Sequence, residues 1–120
     1  MINVNDITVN HTATIIDCLK QINKNGLGIV FLVKNKIIKG SVSDGDIRRS
    51  LIKGTKNSTK AIKIANKKFV SLKFNAKSHV IQKHLQKGIK VIPLLNDKNE
   101  FIDYASPQKI HQYSVMEPLL

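Results

Sequence analysis

The sequence is short of arginine, cysteine and aromatic side chains, and each shortage removes a class of function. Of its 20 basic residues only Arg48 and Arg49 are arginines; the rest are lysines scattered along 120 residues. Aromatic residues make up 5% of the chain, which leaves few platforms for stacking nucleobases. The net charge of +12 therefore reads as a solvated basic surface that favours small anions such as phosphates, and argues against nucleic acid as the partner. A single cysteine, Cys18, excludes an internal disulfide and a multi-cysteine zinc site. No apolar run approaches the roughly 20 residues that span a bilayer, so no membrane association is expected. The opening residues 1–6 lack a basic stretch followed by an apolar one, so no secretory signal is read there. A reducing, cytoplasmic setting is expected.

Catalytic groupings are missing too. His11, His79, His84 and His111 are scattered. His79 and His84 lack the i, i+4 spacing that puts two metal ligands on one helical face. Neither G-x-x-x-x-G-K-[ST] nor G-x-G-x-x-G occurs, so no phosphate loop of those types is present. Cys18 falls on the apolar face of a helix and reads as core rather than nucleophile. No catalytic residue and no metal site is expected; the chain reads as a binding module, not an enzyme.

What is present is an order of elements that occurs twice. Residues 7–9 read as a short strand. Thr14 caps a helix over 15–24, whose apolar Ile15, Cys18, Leu19 and Ile22 follow a 3.6-residue period, and Gly26 stops it. The continuous apolar run Ile29-Val30-Phe31-Leu32-Val33 predicts a strand buried on both faces. A tight turn at 34–36 leads to a strand over 37–42, and Ser43 opens a helix to about residue 53. A polar linker, 55–59, and a helical stretch at 61–65 follow. The order then recurs: strand 69–72, helix 78–87 with Ile81 and Leu85 on one face, apolar strand 91–95, turn 96–99, strand 101–105, and a last helix from Ser106 containing Ile110. Gly26 matches Gly88, Ser43 matches Ser106 and Ile47 matches Ile110, with one extra residue in the second hairpin turn. A β-α-β-β-α unit of this size cannot cover its own sheet, whereas two packed copies can. The predicted architecture is α/β, with a first repeat over 1–56 and a second over 57–120.

The candidate site is Gly40-Ser41-Val42-Ser43-Asp44-Gly45-Asp46, where a buried strand meets a helix. Gly40 permits close approach of another group. Ser43 and Asp46 lie in the first helical turn, where a carboxylate can accept two hydrogen bonds from a vicinal diol, as an acidic residue holds a ribose in dinucleotide-binding folds. Free amides at the helix start attract anions. The competing reading is a capping box, in which Ser43 and Asp46 merely close the helix end.

With the Arg48 and Arg49 that follow it, this segment resembles the ribose-binding motif of tandem CBS domains, the pairs called Bateman modules, and the resemblance covers nearly the whole chain. It implies two tandem CBS repeats packed with pseudo-twofold symmetry, an adenosine-type ligand such as AMP, ADP or ATP in the cleft between them, Ser43 and Asp46 on the ribose, and Ser41 as a main-chain contact to the base. Arg48 and Arg49 suit forked contacts with phosphate, or are surface helix residues with no specific partner. Lys90 is a phosphate candidate by family position. Segments 10–13 and 72–75 are candidate walls of the base pocket. The second repeat departs from the motif: Asp103 replaces the Gly and Lys109 the Asp, and a cation cannot accept from a diol. At most one ribose site is therefore expected.

The Asp-Gly-Asp-Ile-Arg-Arg wording resembles CBS pairs attached to sugar-nucleotide nucleotidyltransferases and to sugar-phosphate isomerases. It implies a regulatory module of a fused or partner carbohydrate-pathway enzyme, with a homodimer as the assembly. The apolar ending, 113–120, reads as a chain cut from a longer one. The alternatives are a ligand-free pairing module and, behind it, a basic nucleic-acid-binding domain.

Overall fold

The computed structural model describes residues 2–109. The expected Ile110 and the apolar ending, 113–120, lie outside the described residues. A capped 3-10 turn, Val4–Ile7, opens the chain, and the first strand, β1, runs Thr8–Asn10 rather than from Ile7. Asn3 and Asp6 close that turn reciprocally, so Ile7 ends the turn and drops its side chain into the core. Thr14 caps α1 (Ile15–Asn25), and Gly26 terminates it. β2 (Ile29–Lys34) and β3 (Ile37–Ser43) form a hairpin whose two loop residues, Asn35 and Lys36, have φ of 51° and 67°. Two left-handed residues match the turn twist to the strand twist. α2 (Asp44–Ile52) follows without a loop.

The second repeat copies this order with β4 (Leu72–Lys73), α3 (Ser78–Gln86), β5 (Ile92–Leu95) and β6 (Phe101–Ala105). Each repeat makes a three-stranded sheet whose middle strand pairs parallel with the strand before the helix and antiparallel with the strand after it. β4 lies further along the chain than residues 69–72. Phe69 is used for packing instead, edge-on against Phe31 with centroids 6.2 Å apart. Ser106 caps a helical turn over 107–109 through the amide of Lys109. No helix among the described residues is long and apolar enough to cross a membrane.

β2 is buried on both faces, as its unbroken apolar run predicts. Val30 and Leu32 join Ile15, Cys18, Val42 and Ile47 under α1 and α2. Phe31 points the other way, into a cluster with Ile7, Ile38, Val91, Phe101 and Tyr104 that draws on both repeats. Its ring meets Phe101 edge-on at 5.5 Å. A smaller cluster of Ile92, Leu94 and Ala105, with Ile81 and Leu85 against it, serves the second repeat. Burial of each such side chain is worth about 1.5–3 kcal/mol.

Residues 57–66 run along the first repeat before the chain enters the second. The amides of Ile15 and Ile16 donate to Thr59 and Asn57, and Ala61, fully buried, donates to Ala13. Asn66 pairs antiparallel with Ser41. Here Gly40 permits the close approach expected of it: a β-carbon at this position would lie 2.8 Å from that of Ala65. The approaching group is the chain's own linker. Gly40→Ala must push the linker off β3, and we expect a loss of about 1–3 kcal/mol in unfolding free energy, measured by urea denaturation.

Candidate functional site

Ser43 leaves β3 in an extended conformation and caps α2. Its hydroxyl accepts from the Asp46 amide at 3.0 Å, and its own amide donates to Asp46 Oδ2 at 3.0 Å. This is the capping box that the spacing permits. The same box closes α1 through Thr14 and Asp17, where the hydrogen bond from the Thr14 amide holds the Asp17 carboxyl below its ordinary value. Capping geometry is thus a general device of this chain. What sets Asp46 apart is its second oxygen.

Asp46 Oδ1 accepts from the Arg49 guanidinium at 2.7 Å. Gly45 leaves room for that guanidinium to lie over the first turn of α2: a β-carbon on Gly45 would sit 3.2 Å from Arg49 Nη1 and 3.7 Å from the Ser43 hydroxyl. Arg49 is 66% exposed and Asp46 23%. An exposed ion pair of this kind is worth about 0.2–1 kcal/mol, so a ligand hydroxyl or anion can displace it at small cost. Ser43, Asp46 and Arg49 therefore form one polar cluster with a hydroxyl, a carboxylate and a guanidinium.

The other candidates fall elsewhere. Arg48 makes no ion pair with Asp46 and borders an apolar hollow of about 420 Å³ with Leu19, Asp44, Ile47, Leu51 and Ile52. One residue of rotation on a helix, about 100°, separates the two arginines. Ser41 is buried, and its amide and carbonyl are both bonded to Asn66 at 2.9 and 2.8 Å. Its amide is committed within the chain, which leaves a base only the second lone pair of the carbonyl. Lys90 lines a cavity of about 500 Å³ between the repeats, together with Ile22, Gly28, Asp44, Pro107 and Gln108. Segments 10–13 and 72–75 are not among the described residues lining it.

In this cavity, Gly28 escaped the sequence reading, and Asp44, though inside the candidate segment, was given no role of its own. Asp44 sits beside Ser43 in the motif, and its amide donates to the Gly28 carbonyl at 3.0 Å. Gly28 has φ of 78°, and a β-carbon there would lie 3.2 Å from Lys90 Nζ and 3.6 Å from Asp44 Oδ2. The absence of a side chain at Gly28 keeps the space between those charges open. A glycine just ahead of an apolar strand was the only signal, and it carries no information about Lys90.

In the second repeat the motif position closes on itself. Lys109 stands in the helical turn where Asp46 stands in the first. Its ammonium donates to Asp103 Oδ1 at 2.5 Å and to the Tyr104 carbonyl at 3.0 Å, and lies 4.3 Å from the Tyr104 ring centre. Asp103 occupies the place of Gly40. The substitutions noted in the sequence are thus partners in one ion pair.

Cys18 is fully buried, and burial pushes its thiol up to about 11 from an ordinary value of 9.0, with Asp17 nearby adding to the shift. A thiol that ionises more readily in the unfolded chain stabilises the fold fully below pH 9 and loses that contribution as pH rises toward 11. Stability should therefore fall above about pH 9, and Cys18→Ala should flatten that limb when midpoints are compared across pH. A parallel fall in both proteins would refute this assignment.

Comparison with known proteins finds a family match in the first repeat and a shared fold over most of the chain. Residues 2–53 match the family model described as CBS domain. A 55-residue stretch is 38% identical to a probable arabinose 5-phosphate isomerase of Haemophilus influenzae. That stretch covers 43% of this chain but only 16% of the isomerase. Among solved structures, a putative acetoin utilization protein of Vibrio cholerae is 19% identical over 96% of this chain and 91% of its own, with a TM-score of 0.81. A CBS domain protein from Pyrobaculum aerophilum complexed with AMP is 24% identical over 85% of this chain and 80% of its own, with a TM-score of 0.74.

Proposed function

We propose that this chain, whose first repeat is a CBS domain and whose overall fold is that of a CBS domain pair, is a regulatory module that senses an adenine nucleotide of the AMP, ADP or ATP type between its repeats. The observation that carries the reading is the Ser43–Asp46–Arg49 cluster on the first turn of α2, the same turn that reaches the inter-repeat cavity through Asp44. The ribose diol would take the place of Arg49 on Asp46 Oδ1, and the released guanidinium would turn to the phosphate. Lys90 would meet the phosphate from the second repeat. Ser41 contributes packing beneath the base and, through its carbonyl, one acceptor. Arg48 stays outside this site. AMP in the Pyrobaculum aerophilum structure supports this ligand class.

The regulated activity is a fused or partner enzyme of carbohydrate metabolism in the cytoplasm, a reading supported by the match to part of a sugar-phosphate isomerase. The ligand acts by binding one arrangement of the two repeats more tightly than another, since only differential affinity shifts such an equilibrium. A second copy of the chain is the expected protein partner. The apolar hollow around Leu51 and the 79% exposed Ile52 is the surface on which a ligand-free pairing module would rest.

Calorimetric titration with AMP, ADP and ATP tests the reading. One nucleotide should bind per chain, and Asp46→Ala should weaken it at least about tenfold while costing the fold only about 1 kcal/mol through its cap. Undiminished binding by Asp46→Ala would remove the site from α2. If the chain only pairs subunits, no heat appears at millimolar nucleotide and Ile52→Glu converts a dimer to a monomer in light scattering.

A further inference from the structure

Asp44 and Lys90 are opposite charges on the wall of one cavity, and neither forms an ion pair among the described residues. The ion pairs among the described residues are Arg49–Asp46 and Lys109–Asp103. Gly28 lies between the two groups, within contact distance of each had it a side chain. A cavity of about 500 Å³ has room for the tail of a ligand as well as the two side chains. Asp44 is held in place by the helix it begins and by the bond from its amide to Gly28. The charged side chains among the described lining residues are Lys90 and Asp44.

We propose that Asp44 is a specificity-determining residue that limits the negative charge of the ligand's tail. This rests on the reading above, that the ribose of an adenosine-type ligand is held at Asp46. Lys90 and the Arg49 guanidinium released from Asp46 together balance the charge of one phosphate group. A second and third phosphate would be driven toward Asp44, whose carboxylate repels them at short range. The cavity therefore suits a monophosphate, and a tail carrying its own ammonium would pair with Asp44 directly. A triphosphate is discriminated against although the chain as a whole is strongly basic. The net charge of +12 attracts all anionic ligands from a distance, and the local carboxylate selects among them at contact.

The experiment is a titration of the full chain with adenosine, AMP, ATP and S-adenosylmethionine, in the wild type, Asp44→Asn and Asp44→Glu. The wild type should bind AMP about tenfold more tightly than ATP, the size expected of one partly screened charge interaction. Asp44→Asn should strengthen ATP by about tenfold, change AMP by less than about threefold and weaken S-adenosylmethionine. Asp44→Glu should restore the wild-type order, which separates charge from any change in folding. Raising the salt concentration should narrow the wild-type preference and leave that of Asp44→Asn unmoved. Equal affinity for AMP and ATP in the wild type, or an unchanged ratio in Asp44→Asn, overturns the role of Asp44 and leaves the ribose site standing. Failure of every compound to bind overturns the ribose site and the role of Asp44 together.

Discussion

The structure depends on Phe31 being buried from the side of its sheet that its own repeat cannot cover. Val30 and Leu32 are satisfied by α1 and α2 of the first repeat. Phe31 faces the other way and needs Phe69, Val91, Phe101 and Tyr104 from the second. Edge-on aromatic contacts to Phe69 and Phe101 give this junction directional character as well as buried area. The Tyr104 hydroxyl, donating to the Ile2 carbonyl at 3.0 Å, and the Phe101 amide, donating to the Lys36 carbonyl at 2.8 Å, close its rim. A sheet covered on one side by helices and on the other by a second copy makes the repeats structurally dependent on each other. Anything lodged between them acts on both.

The two repeats share backbone geometry and differ in electrostatics. Ser43 and Ser106 cap equivalent helical turns, each accepting from the amide three residues on. At that third residue stands Asp46 in one repeat and Lys109 in the other. Asp46 holds an exposed arginine that water or a ligand can replace. Lys109 is 20% exposed, bonded to Asp103 and stacked on Tyr104. The first arrangement is open to exchange and the second is satisfied internally. The repeats thus differ at two matched positions, Gly40 against Asp103 and Asp46 against Lys109.

Much of this was readable beforehand because its physics is local. Thr14, Ser43 and Gly26 mark helix ends through bonds that span three or four residues. The apolar run over β2 announces two-sided burial, and the offset between halves announces the pair. Where local reading slipped, a distant contact decided. Residues 69–72 were read as a strand, yet Phe69 lies ahead of β4 and meets Phe31 instead. Residues 55–59 were read as a polar linker and 61–65 as a helical stretch; a 3-10 turn does form at Ala61–Lys63, but the main chain of 57–66 is bonded along the first repeat, with Ala61 in the core.

By itself the sequence determined the element order, the caps, the duplication and the lone motif in the first half, since each follows from periodicity or from spacing within a turn. Tertiary structure alone decided which candidates meet. It joined Arg49 to Asp46 and sent Arg48 to an apolar hollow, a separation set by helical rotation. It bonded the Ser41 main chain to Asn66, and it set Asp44 opposite Lys90 across a bare Gly28. Those meetings depend on how two sheets pack through Phe31, and no spacing along the chain encodes the distance between residues 44 and 90.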